Sequence, residues 1–200
     1  MRVMFSTQSR KSEAAMAPLA KTDRNKILKG AVKIVRTRGA GALTAKSLAD
    51  ELGCSTQPLF WHFSGMGEIR AAVYAEALAR FDKYIHKEVE GVTGYRAIGV
   101  NYIRFARAER QFYKLLFMSE KTDKDFLYTH VERDYVLRVL EECEGIKGEQ
   151  AEDIFRNMWL FVHGISAMIA TGTAEFEEQE IREMLKQMLT GQLLLAGKNR

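Results

Sequence analysis

Thr56, Gln57, Trp61 and His62 fall within one short stretch and bring hydroxyl, amide, indole and imidazole groups together. A glutamine amide can pair with N6 and N7 of an adenine, and a threonine can hydrogen-bond or meet a thymine methyl. Trp61 adds an indole N–H on a flat apolar ring. Lys46 opens the helix predicted just upstream, and lysines and helix N-termini both attract phosphate. Two or three such side chains suffice to choose a base sequence, while phosphate contacts supply affinity and salt dependence. The plainer alternative for each is a solvated polar group or, for Trp61, a packing ring.

Other chemistries find little support. His130 and Asp134 stand one turn apart, a spacing compatible with metal ligation, but no third ligand accompanies them. Cys54 and Cys143 make no disulfide framework and suit a reducing cytosol. The chain has no phosphate-binding Walker loop, dinucleotide glycine fingerprint or nucleophile elbow. The expectation is a non-enzymatic protein with no cofactor and no metal.

The elements that must position the candidate residues lie in TAKSLADELGCSTQPLFWHF, Thr44 to Phe63. Ala45, Leu48, Ala49 and Leu52 recur at helical spacing behind Thr44, whose hydroxyl can cap the helix. Gly53 ends it where a left-handed residue is wanted. Ser55 can cap a second helix whose apolar side is Leu59, Phe60 and Phe63. Pro58 is tolerated in a first turn, and the helix can equally begin at Gln57 or Pro58. Two short helices about a tight turn form a helix-turn-helix, whose second helix fits a DNA major groove. Thr44 and Ser55, at the helix starts, belong to the same candidate surface.

Thr44, Leu48-Ala49, Gly53, Ser55, Leu59-Phe60 and His62-Phe63, behind a basic helix, resemble the N-terminal domain of TetR-type transcriptional regulators over roughly residues 22 to 70. The resemblance implies an all-helical homodimer that binds palindromic operators and releases them when a small molecule enters its second domain. It implies phosphate contacts for Lys21 and Arg24, and for His62 either such a contact or a structural role. Two positions depart from the pattern. Met66 stands where the family often has a phosphate-directed lysine, and Phe60 where a tyrosine hydroxyl often reaches phosphate. Trp159, His163 and Gly164 in MWLFVHGISAMIATG resemble a Trp/His-Gly regulatory subgroup of the same family.

Charge divides the chain in the same place. Residues 1–64 hold 11 Lys/Arg against 4 Asp/Glu and the remainder 19 against 22, so the overall +4 splits into +7 and −3. A basic head on a slightly acidic body suits a polyanion partner for the head alone. Residues 1–20 read as a flexible basic arm in which Arg2, Arg10 and Lys11 either brush phosphates or are simply disordered. A helix is expected over Thr22–Arg38, capped by Thr22. Further helices are expected from Gly65 to about Val89, then near Tyr95–Ala108, Glu109–Met118, Lys124–Glu142, Glu149–Ala170 and Phe176–Leu195. No apolar run spans a membrane, and no signal-peptide core is evident, so a cytoplasmic place is expected.

The expected fold is all-α: a DNA-binding domain over 21–66 and a helical regulatory and dimerisation domain over 67–200. Tyr102, Phe105, Phe117 and Trp159 are candidate walls of a ligand pocket, the alternative being plain core; Arg104 and Arg107 can pair with an anionic ligand or be ordinary exposed helix arginines. Phe161, Ile165, Met168, Ile181, Leu185 and Met188 are the candidate dimerisation residues, since two C-terminal helices can form a four-helix bundle with their copies. The expected function is an operator-binding repressor released by an unknown small-molecule effector. The alternative is a helical small-molecule-binding or adaptor protein with a degenerate DNA head.

Overall fold

The computed structural model describes residues 22–119 and 133–197. The basic arm, Lys21, Phe126, Tyr128 and His130 lie outside that range, as does the start of the helix expected from Lys124. The described residues form eight α-helices and two short 3₁₀ segments, with an isolated Val89–Val92 bridge as their sole β pairing.

α1 (Arg24–Arg38) begins directly after Asp23, whose carboxylate accepts the Lys26 N–H at 2.8 Å. Asp23, not Thr22, is therefore the cap. Ile27, Ala31, Ile34 and Val35 are buried against α2 (Ala45–Leu52) and α3 (Met66–Ile85). Gly30 lets α1 and α2 approach closely, because a Cβ there would stand 3.0 Å from Leu52 Cδ2. α2 opens with a reciprocal capping box: Ser47 N–H donates to Thr44 Oγ1 at 3.1 Å, and Thr44 N–H donates to Ser47 Oγ at 3.0 Å. Gly53 closes it in the left-handed region, at φ 66°.

The second helix of the motif differs from expectation. Gln57–Trp61 is a five-residue 3₁₀ segment, preceded by Thr56 with no side-chain cap, so Ser55 does not serve as one. Pro58 supplies no N–H, and Leu59 N–H reaches back to the Thr56 carbonyl at 3.2 Å, the three-residue step of a tighter helix.

α4 (Tyr95–Ala108) is the axis of the body and packs against α3, α5 (Arg110–Phe117), α6 (Arg133–Glu144), α7 (Glu149–Thr171) and α8 (Glu178–Leu195). From α4 the buried Asn101 donates to the Lys87 carbonyl at 2.6 Å, satisfying backbone just beyond α3, which ends at Ile85 rather than near Val89. α8 starts at Glu178 rather than Phe176, whose carbonyl is taken by Arg107. The aromatic core centres on Phe81, with the rings of Tyr102, Phe105 and Phe117 edge-on at 5.4, 5.2 and 5.0 Å.

Candidate nucleic-acid interface and effector cavity

Pro58, Leu59 and Phe63 are buried and anchor the recognition segment in the head. Their neighbours point the other way. Thr44, Lys46, Ser55, Thr56 and Gln57 are exposed, as are Phe60 at 44% and Trp61 at 70%. Burying a Trp or Phe gains about 25 cal/mol per Å² of apolar surface, so rings left this bare are poorly explained by folding alone.

A polar clamp fixes the segment to α1 and α3. His62 Nε2 lies 2.8 Å from the Thr22 carbonyl, and Arg24 donates to the His62 carbonyl at 2.6 Å. The same guanidinium pairs with Glu68 at 2.7 Å and sits 4.0 Å from the centre of the Phe63 ring. Glu68 also accepts from Ser64 N–H at 2.7 Å; that bond first, and Arg24 after it, hold its carboxyl below the usual range. Arg24 and His62 thus orient the segment, while half of the Arg24 side chain stays exposed.

The head is also tied to the body. Arg36 of α1 forks onto Glu109 with two 2.7 Å hydrogen bonds, and Arg80 approaches the same carboxylate at 3.9 Å. Glu109, at the α4–α5 corner, is 5% exposed. This ion pair spans 73 residues of sequence and has no local signature.

Within the body, a cavity of about 50 Å³ lies among α3, α4, α6, α7 and α8. Tyr102 and Trp159 line it; Phe105 and Phe117 do not, and both pack against Phe81. Phe81, Tyr95, Met158 and Leu185 belong to the same wall. Helical periodicity marks these as core and cannot separate a core residue from a cavity wall. Behind the wall, Tyr113 Oη lies 2.8 Å and Tyr102 Oη 3.4 Å from His163 Nδ1, and the Trp159 ring stacks on the imidazole at 4.7 Å and 8°. Burial pushes both phenols up and His163 down, so the cluster is neutral at pH 7.

Comparison with known sequences bears on both regions. Residues 27–73 match the model "Bacterial regulatory proteins, tetR family", and residues 95–191 match "Tetracyclin repressor-like, C-terminal domain". Between them these matches take in well over half of the chain. The chain belongs to the tetR family of bacterial regulatory proteins. It is a TetR-family transcriptional regulator with a DNA-binding helix-turn-helix and a C-terminal regulatory domain. Two solved structures share the fold of this TetR-family chain. One is a Clostridium perfringens protein described as a fatty acid metabolism regulator, 17% identical, covering 82% of this chain and 97% of its own, with a TM-score of 0.58. The other is a transcriptional regulator of Rhodococcus sp. Rha1, 14% identical, covering 86% and 97%, with a TM-score of 0.59. No curated protein matches the sequence.

Other expected sites of the TetR-family chain fall differently. Ile165, Ile181 and Leu185 are buried inside the protomer, so they support its own core and do not reach an outer face. Phe161 and Met188 are half-buried and Met168 is exposed, joined on α7 and α8 by exposed Leu160, Leu194 and Leu195. Arg104 pairs with Glu178 at 2.6 Å, Arg107 donates to the Phe176 carbonyl, and neither lines the cavity. Arg104 and then Arg182 hold the Glu178 carboxyl down to about 2. No cluster suited to a metal ion occurs among the described residues, and no helix there is long and apolar enough to cross a membrane.

Proposed function

We propose that the chain is a homodimeric, effector-controlled repressor that reads a pseudo-palindromic operator. The observation that carries this reading is the shared exposure of Lys46, Thr56, Gln57 and Trp61 on a helix-turn-helix held in place by buried Leu48, Pro58, Leu59 and Phe63 and by the Arg24–His62 clamp. Thr56, Gln57 and Trp61 face the bases. Thr44, Lys46, Ser55 and Lys21 hold phosphates, and Arg24 and His62 chiefly orient the segment. Two copies present their segments to successive major grooves about 34–36 Å apart.

The copies associate through α7 and α8, using Phe161, Met168 and Met188 together with Leu160, Leu194 and Leu195. The stacked Trp159–His163 pair supports placing the body in the Trp/His-Gly subgroup. An effector in the cavity favours a dimer whose segments no longer match the groove spacing. That switch requires different effector affinities in the two states, since equal affinity shifts nothing. Selection of random duplexes at about 0.15 M salt tests the reading. An enriched inverted repeat is the expected result.

A degenerate-head reading draws on Phe60, which lacks a phosphate-seeking hydroxyl, and on Met66. Weak, sequence-blind binding that vanishes at modest salt would favour it.

A further inference from the structure

We propose that the effector is an amphipathic anion, with its apolar end in the body cavity and its carboxylate or phosphate end on Arg96. The inference rests on the effector reading above and specifies the chemistry of that site. The cavity wall is almost wholly apolar, formed by residues such as Phe81, Ile98, Met158, Val162 and Leu185, and no acid lines it. A charge placed inside would lose its hydration with nothing to replace it. Arg96 is the one cation among the lining residues, and it stands at an edge. The same residue also lines a more polar groove of about 460 Å³, with Thr93, Glu144, Lys186 and Leu189. Arg96 and Gly99 are neighbours on α4, and Leu185 and Leu189 are one turn apart on α8. Cavity and groove therefore follow each other along the α4–α8 seam.

Arg96 is also unusual in its company. Partly buried Arg104 and Arg182 share Glu178, Arg107 holds the Phe176 carbonyl, and Arg133 holds Glu152. Partly buried Arg96 has no carboxylate or hydrogen-bond partner among the described residues. A guanidinium fork with free donors matches a carboxylate or phosphate in shape and charge. Lys186, which stands 3.9 Å from Glu183, and Glu144 also line the groove. The cavity's 50 Å³ is several times the roughly 10–15 Å³ that one water needs, so a short apolar end fits as the structure stands. A longer one must part α4 from α7, beside the Tyr102–His163–Tyr113 cluster that leads into α5.

Calorimetric titration of the full-length protein with octanoate, octyl phosphate, 1-octanol, octylamine and acetate tests this. At least one eight-carbon anion should bind at least tenfold more tightly than octanol, octylamine or acetate, and the better of the two identifies the end group. Arg96→Met keeps the apolar stem and should lose at least tenfold for that anion while leaving octanol unchanged. The proposal is overturned if octanol equals both anions, if acetate equals octanoate, if Arg96→Met binds the anion as wild type does, or if no eight-carbon probe binds. Duplex selection on the same preparation separates the two readings. A protein that selects an operator but ignores the probes remains a regulator without this effector class. One that binds octanoate through Arg96 but selects no duplex keeps the site and loses the repressor reading.

Discussion

Gln57 and Lys46 are both exposed on the head, yet they should fail differently when removed. Gln57→Ala deletes a bidentate amide, so it should cost about 1–3 kcal/mol at one operator position and leave that position permissive. Lys46→Ala deletes a point charge, so it should weaken all duplexes alike and lower the salt slope by about one. Competition binding against single-base operator variants, repeated over a salt series, separates the two; identical profiles would contradict the assignment. Glu178 offers a test of a different kind. Its folded value of about 2 lies below the ordinary 4.5, so its stabilising effect is whole above pH 4.5 and disappears as the pH falls toward 2. Urea midpoints at pH 5 and pH 3 should diverge more for the wild type than for Glu178→Gln. Equal divergence would mean that the Arg104–Glu178–Arg182 cluster is too well solvated to matter.

Most of the elements could be read from the order of residues. Gly94 announces α4, and the run from Glu149 to Ala170 announces α7 within a residue or two. The recognition segment was harder to type, because Leu59, Phe60 and Phe63 fit one face of an α-helix equally well. What decides it is tertiary: buried Pro58 and Leu59 pull a short segment inward, and the Leu59 N–H closes on the Thr56 carbonyl three residues back. Such a short segment depends on its predecessor for position, and the Thr44–Ser47 capping box secures that predecessor. Thr44→Ala should cost about 1 kcal/mol of stability, measured by urea unfolding. Thr44→Asp, which keeps a capping oxygen, should restore most of that stability. Operator affinity should not return with it, since a carboxylate at a phosphate contact repels. Asn101 and Glu109 escaped sequence reading for the opposite reason: each is a polar residue on a helix, and its partners come from other elements.

At the scale of the molecule, head and body meet where Arg36 forks onto Glu109. Arg36→Met should free α1 from that corner without unfolding the body. Amide hydrogen exchange should then speed several-fold in α1 while α4 and α7 keep their protection; uniform exchange across the chain would show that the pair does not act as a joint. The cavity walls were legible as apolar residues but not as walls, since a cavity arises from how five helices fail to fill space. The placement of the two tryptophans has a practical consequence. Trp61 is 70% exposed on the head, whereas Trp159 is stacked on neutral His163 beside the cavity. Each region of the molecule therefore carries its own native fluorophore. Trp159→Phe leaves an emitter that should dim when bases cover it, and Trp61→Phe leaves one whose colour should follow the cavity, so both occupancies can be watched in unlabelled protein.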